Sequence, residues 1–357
     1  MLFDCKPYKS TAARVHRVKG GTKKPSTVTV DIHCHLHNQE VEDIASPHYE
    51  ITEQPFIKYS DAATRQLNVK QNEERWEELT GVEQRLKDMD EMMVDIQAIS
   101  TSPAQYYYWA DPDLGRQTSQ MINDKLASVV GDNPDRFVGL GTVPLQNTEL
   151  AIAELDRCVN DLGFRGIEIG PNVNDDELSA DRLEKFWARC EELDIVIFMH
   201  PMSFTNGERF SKHYLANIIA NPLSTTVAVH YLIFDGVMDR YPGLKFVLAH
   251  GGGYVSHYNG RLDHAHGARP DCCTRIANPP TSYLKKFYFD SVVFTPHQLE
   301  YLAQQFGTDH LLMGTDYPYD MAEYDPVEHV DQVESFSADD KAKIWGLNAA
   351  ELLKIKT

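Results

Sequence analysis

The fold class this sequence predicts is α/β, a (β/α)8 TIM barrel with a polar insertion after the first strand. Three observations carry that prediction. From Thr27 onward, short apolar segments bounded by turn residues alternate with longer stretches of helical period, the pattern of βα units around a parallel sheet. There are eight such segments, which suits a closed barrel better than an open sheet. No Pro-, Gly- or Ser-rich linker divides the 357 residues, so residues 27–357 read as one domain behind an N-terminal extension of residues 1–26.

The strands, in order, are "VTVDIHCH", "DIQAIST", "RFVGLGTVP", "GIEIGP", "IVIFMHP", "LKFVLAHGG", "FYFDSVV" and "HLLMGTDYP". Between them the helical period appears in "GVEQRLKDMDEMM", "TSQMINDKLASVVG", "TELAIAELDRCVNDLG", "DRLEKFWARCEELD", "STTVAVHYLIFDGVMDRYPG" and "TPHQLEYLAQQFG". Several of these open on Ser, Thr or Asp and close on Gly, as helix caps do. The segment Asn38 to Thr80 is long and polar, and reads either as a cover over the barrel mouth or as a surface loop. From Ser337, "SADDKAKIWGLNAAELLKI" predicts a terminal helix docked on the outside.

Composition narrows the function. A formal net charge of -19 argues against nucleic acid and against anionic membrane surfaces, both of which require clustered Lys and Arg. A small anionic substrate remains compatible, because a few local arginines can outvote the total. The six cysteines form no CxxC, the first residues hold no apolar stretch of signal-peptide type, and no apolar run is long enough to span a bilayer. A reducing cytoplasm is the expected compartment.

The chemistry begins at "VDIHCHLH", Val30 to His37. Side chains alternate along a strand, so His33 and His35 share one face while Cys34 points away. In a βα barrel the reactive groups gather at the carboxyl ends of strands. There the sequence offers His200 closing "IVIFMHP", His250 before a run of glycines, and Asp316 in "GTDYP". Singly, each reads as well as a satisfied core histidine or a helix-capping Asp. Together they suit one divalent ion, zinc by the character of the donors, with a position left for water.

These segments, with "QAISTSPAQYYYWADP", "RFVGLGTVPLQ", "AHGGGYVSHYNGRLDHAHGARPDCC" and "LLMGTDYPYD", resemble the aminocarboxymuconate-semialdehyde decarboxylase family of the amidohydrolase superfamily, from about Val28 to the C-terminus. The resemblance implies an amidohydrolase-like barrel in which His33, His35, His200 and Asp316 hold the metal and His250 stands beside it as acid and base. It further implies non-oxidative loss of a carboxylate from an unsaturated or aromatic acid, and a homodimer in which Arg261 and Arg269 reach the partner's substrate. The local alternative for these arginines is pairing with Asp263 and Asp271. Two positions depart from the family pattern. Ser224 in "LSTT" stands where the family has an acid, and the early substrate-binding arginine falls on either Arg65 or Arg75. Glu168, in place of a bridging lysine at the fourth strand, favours one metal over two; it reads as a hydrogen-bonding residue, with an unusual bridging ligand as the alternative. His257 follows "HGGGYVS" with its role open. A hydrolase or hydratase of the same superfamily is the nearest alternative activity, and a non-catalytic metal-binding protein is the alternative of another class.

Overall fold

The computed structural model describes residues 22–356, so most of the expected N-terminal extension, with Cys5 and His16, lies outside the described residues. All eight predicted segments are strands: β1 Val30–Leu36, β2 Ile96–Thr101, β3 Phe137–Gly141, β4 Gly166–Ile169, β5 Val196–Met199, β6 Lys245–Leu248, β7 Tyr288–Asp290 and β8 Leu311–Leu312. They pair in parallel in chain order as one eight-stranded sheet. The segment following β8 closes the ring. Ile32 N donates to Met313 O at 3.0 Å, and His35 N donates to Tyr317 O at 2.8 Å. The ring of strands expected from the sequence is thereby closed.

The helices follow the predicted segments with three informative differences. The stretch "STTVAVHYLIFDGVMDRYPG" is two helices, Ala220–Phe234 and Val237–Arg240, because Gly236 adopts φ 76° and ends the first. Asn259–Ala268 is a helix that the pattern concealed, since it buries none of its side chains and so carries no apolar stripe. The insertion is helical, with Gln39–Ala45, Ala62–Glu74 and Trp76–Thr80 as its main pieces. Its two ends meet where His37 N donates to Leu79 O at 2.8 Å. Buried Arg85 fastens that neck by donating from Nη2 to the carbonyls of both His35 and Glu78.

The C-terminal segment does not dock on the outer face. Ala349, Leu352 and Leu353 pack with Val30, Ala98, Leu140, Val196, Val247 and Leu312, closing the amino-terminal end of the barrel. The π-helical turn Lys343–Leu347 brings this segment in, and Gly346 permits it. A Cβ at that glycine would sit 2.1 Å from the carbonyl oxygen of Val28. Among the described residues no helix is long and apolar enough to cross a membrane.

Candidate active site and metal centre

The site is assembled at the opposite, carboxyl end. His33 and His35 project from β1 into the barrel, fully buried, while Cys34 packs outward among Leu36, Met89 and Ile99. His200 directly follows β5, His250 follows β6 by two residues, and Asp316 lies beyond β8. At the last two the backbone leaves the strand through the left-handed region, with φ 56° at His250 and 60° at Asp316. Non-glycine residues held this way cost on the order of 1–3 kcal/mol each and mark functional sites. Gly251, Gly252 and Gly253 continue the same turn at φ 60°, 72° and 66°, and a Cβ on Gly253 would stand 2.2 Å from the Pro222 carbonyl oxygen. The glycine run is what that turn requires.

Asp316 divides the imidazoles into two groups. Its Oδ1 faces His33 Nε2 at 3.2 Å, His35 Nε2 at 3.4 Å and His200 Nε2 at 3.9 Å. Its Oδ2 faces His250 Nε2 at 3.5 Å. Tautomers then decide what the first group is for. His33 Nδ1 lies 2.6 Å from Asp290 Oδ2 and His35 Nδ1 lies 2.9 Å from the Thr101 carbonyl, so each Nδ1 carries the proton. The two Nε2 atoms consequently present lone pairs to one another at 3.2 Å. That contact is repulsive unless a cation lies between. Asp316 Oδ1 and both ring nitrogens of His200 are also buried without partners. Three imidazole nitrogens and a carboxylate oxygen fit a divalent metal, and the ligand atoms close enough to share one fall in two overlapping groups, His33, His200, His250 and Asp316, and His35, Glu168 and His200.

The electrostatics agree. Burial pulls the His33 imidazole down, but Asp316 and then Asp290 outweigh it and raise the group to about 10. The site thus favours positive charge, which a metal cation supplies. Burial and the neighbouring imidazoles of His35, His33 and His250 hold His200 well below its usual value, leaving its nitrogens free to ligate. Asp316 is held well below the carboxylate range, His33 and the other imidazoles outweighing burial.

Asp290, the last residue of β7, escaped the sequence reading although it obeys the same strand-end rule. It accepts from His33 Nδ1 and from the backbone N–H groups of His250 and Gly251, at 2.9 and 2.8 Å for the latter two, and so ties three parts of the site together. Glu168 Oε1 accepts from Tyr106 Oη at 2.8 Å, and burial pushes its carboxyl up. Its Oε2 is buried without a partner, and the residue also forms a ligand-capable group with His35 and His200.

Above the site lies a cavity of about 530 Å³ whose wall is built by the insertion, with Phe56, Arg65, Asn72, Arg75 and Trp76 facing His200, His250 and Asp316. The insertion covers the mouth. Arg261 and Arg269 are not in this cavity. Both are exposed on and after the helix Asn259–Ala268, where Arg269 holds Asp271 through contacts of 3.0 and 2.7 Å. Asp263 is engaged instead by Thr281, at 3.0 Å to its N and 2.6 Å to its Oγ1. His257 bonds Ser256 and Gln298 on the surface. Of the two early arginines, Arg65 is exposed and bonded to the Ser60 carbonyl, whereas Arg75 is buried and keeps Nε and Nη2 without partners.

Comparison with known proteins follows this geometry. The family model described as amidohydrolase matches residues 30–355. The 2-amino-3-carboxymuconate-6-semialdehyde decarboxylase of Dictyostelium discoideum is 38% identical over 75% of this chain and 75% of its own. The protein of the same name from Caenorhabditis elegans is 29% identical over 76% of this chain and 80% of its own. In fold, the 5-carboxyvanillate decarboxylase of Novosphingobium aromaticivorans, solved with manganese and a nitrobenzoic acid, matches at a TM-score of 0.82 and 23% identity, covering 98% of this chain and 100% of that one. Matched from its first barrel strand almost to its last residue, the chain belongs to the amidohydrolase family, in the branch of the aminocarboxymuconate-semialdehyde decarboxylases.

Proposed function

We propose that this protein is a metal-dependent, non-oxidative decarboxylase, a carbon–carbon lyase acting on an unsaturated or aromatic carboxylic acid. The observation that carries the reading is the division of Asp316, with one oxygen turned to three ligating imidazoles and the other to His250. His33, His35, His200 and Asp316 would hold a divalent ion, which would supply a Lewis-acid centre there. His250 stands close to His33, His200 and Asp316 as well, and we assign it the proton rather than the ion because it faces the other oxygen of that carboxylate. It delivers a proton to the carbon that bears the carboxylate. The bond to the carboxylate carbon then breaks, its electron pair restores the unsaturated system, and carbon dioxide leaves without any change of oxidation state at a cofactor. Arg75, buried with two free guanidinium nitrogens at the cavity wall, is the arginine best placed to hold a substrate anion.

Zinc is our choice of metal, on the three imidazoles and one carboxylate, although manganese accompanies the related fold. Elemental analysis of the purified protein decides between them. The free Cys34, Cys158, Cys190, Cys272 and Cys273 thiols support a reducing cytoplasm. The activity is tested by carbon dioxide release from carboxylated dienes and aromatic acids. Addition or removal of water with no carbon dioxide makes the protein a hydratase or hydrolase instead.

We further propose a homodimer, with Arg261 and Arg269 leaving their own chain to meet the partner's substrate. A mixed dimer of one His250→Ala chain and one Arg269→Ala chain, assayed at low substrate, then recovers about half of normal activity per dimer, because one site carries both defects and the other neither. An inactive mixed dimer places Arg269 in its own chain's site. A fully active Arg269→Ala homodimer leaves it as a surface partner of Asp271, worth little.

A further inference from the structure

Beside the catalytic cavity lies a second one of about 310 Å³ that the mechanism does not use. The loops after β2, β4 and β5 wall it, together with the start of the insertion. Gln54, Pro103, Ala104 and Met202 line both cavities, so the two are neighbours with a shared partition.

The lining of the second cavity is rich in rings that are fixed in place. Tyr49 stacks on Trp109 with ring centroids 4.3 Å apart, and Tyr106 on Tyr108 at 5.5 Å. Tyr106 Oη is spent on Glu168 and the His200 carbonyl, and Tyr108 Oη accepts from Gly170 N at 3.2 Å. One polar group stands apart. Ser203 is only 3% exposed, lines this cavity and not the catalytic one, and keeps its Oγ buried without a partner. Its backbone is set at φ 63°, with its N donating to Asn221 Oδ1. A buried hydroxyl with nothing to bond is a cost that a ligand removes.

Charge separates the two cavities. Arg65, Arg75 and the imidazoles of His200 and His250 line the catalytic one, whereas no Lys, Arg or His lines the second, whose charged residues are Glu53 and Asp175. A carboxylate entering there gives up water without gaining a cation, and it meets like charge at the rim. An uncharged planar molecule finds rings for its faces and Ser203 for one polar atom. Decarboxylation turns the first kind of molecule into the second, because the proton taken up at carbon cancels the charge that the carboxylate brought.

We propose that the second cavity is a binding site for uncharged aromatic molecules with one hydrogen-bonding group, held by the stacked rings and Ser203. Naming its ligand as the product, drawn aside from the cationic site after carbon dioxide has left, rests on the decarboxylase reading. The site itself does not.

The test titrates phenol calorimetrically into the metal-loaded protein, with benzoate in a parallel series and carbon dioxide release followed on carboxylated dienes and aromatic acids. Phenol is expected to bind once per chain and to lose about tenfold in affinity in Ser203→Ala, the loss of one buried hydrogen bond. Thr205→Trp, which fills the cavity from an exposed position on its lining, is expected to abolish phenol binding. Arg75→Ala and chelation of the metal leave phenol binding unchanged, and benzoate is indifferent to both Ser203→Ala and Thr205→Trp. No phenol binding overturns the proposal, as does phenol binding that follows Arg75 or the metal and ignores Ser203 and Thr205. Benzoate expelled by Thr205→Trp overturns the exclusion of anions and the proposal with it. Phenol held at Ser203 by a protein that releases no carbon dioxide keeps the site and overturns only the decarboxylase reading.

Discussion

The two ends of the barrel solve opposite problems with the same eight strands. At the amino-terminal end Val30, Ala98, Leu140, Val196, Val247 and Leu312 meet Ala349, Leu352 and Leu353 in an apolar layer. At the carboxyl end lie four histidines, Asp290, Asp316 and Glu168, two of them on left-handed backbone. That end also holds polar atoms buried without partners, on His200, His250, Asp316 and Glu168. One end gains stability by burial, and the other forgoes it to hold groups ready for a cation and a substrate. The difference teaches that a residue's worth here depends on which end it occupies more than on how deeply it is buried.

Substitutions can break that contrast. The largest effect is expected from His33→Ala combined with His200→Ala, which removes two of the four donors. Elemental analysis should find no bound metal and assays no turnover, while the far-UV circular dichroism of the barrel persists. His250→Ala comes next, with turnover falling about a hundred- to ten-thousand-fold and the metal retained. Metal lost along with activity would make His250 a ligand. Asp290→Asn should weaken metal affinity about 10–100-fold, measured by competition with a chelator, because it orients His33 from behind without touching the ion.

At the other end the sign of the comparison reverses. Leu353→Ala should lower stability by about 2–5 kcal/mol in denaturant unfolding and leave kcat/KM of the folded enzyme unchanged. The smallest effect sharpens the same point. Asp194, at φ 51° after the helix Glu184–Leu193, pairs with Lys245 at 2.5 Å and Lys354 at 2.9 Å, which lowers its carboxyl below the ordinary 3.8. A depressed acid stabilises above its unfolded value, and that contribution is lost as pH falls through the folded one. Asp194→Asn, which tolerates the left-handed backbone, should therefore cost under about 1 kcal/mol at pH 7, with the difference from wild type vanishing in acid.

The barrel was legible in the sequence because its strands are apolar runs with clear ends, and the candidate metal ligands because each is polar where such a run stops. Asp290 was equally visible by that rule, but "FYFDSVV" contains no histidine to draw attention to it. The helix Asn259–Ala268 was hidden for a physical reason. None of its side chains is fully buried and only Leu262 leans on the core, so it leaves little periodic trace. The C-terminal segment was read as a helix but not placed, since an apolar stripe says that a face is covered without saying by what. The choice between Arg65 and Arg75 was harder still. It depends on a cavity formed by residues far apart in the chain, and alternation along one segment carries no record of it.

The backbone bond from His37 to Leu79 makes the cavity wall a detachable cassette. The excursion leaves β1 and returns beside it through a closed neck pinned by Arg85, and above that neck it meets the scaffold at a few side chains, Tyr59 with Thr205, and Arg75 with Pro318 and Tyr324. Phe56, Arg75 and Trp76 can be exchanged as one contiguous block while the metal-bearing strands keep their register. A protein arranged this way can change what it accepts by grafting a single segment, and the same grafting offers an engineer a route to new acids on an unaltered reaction centre.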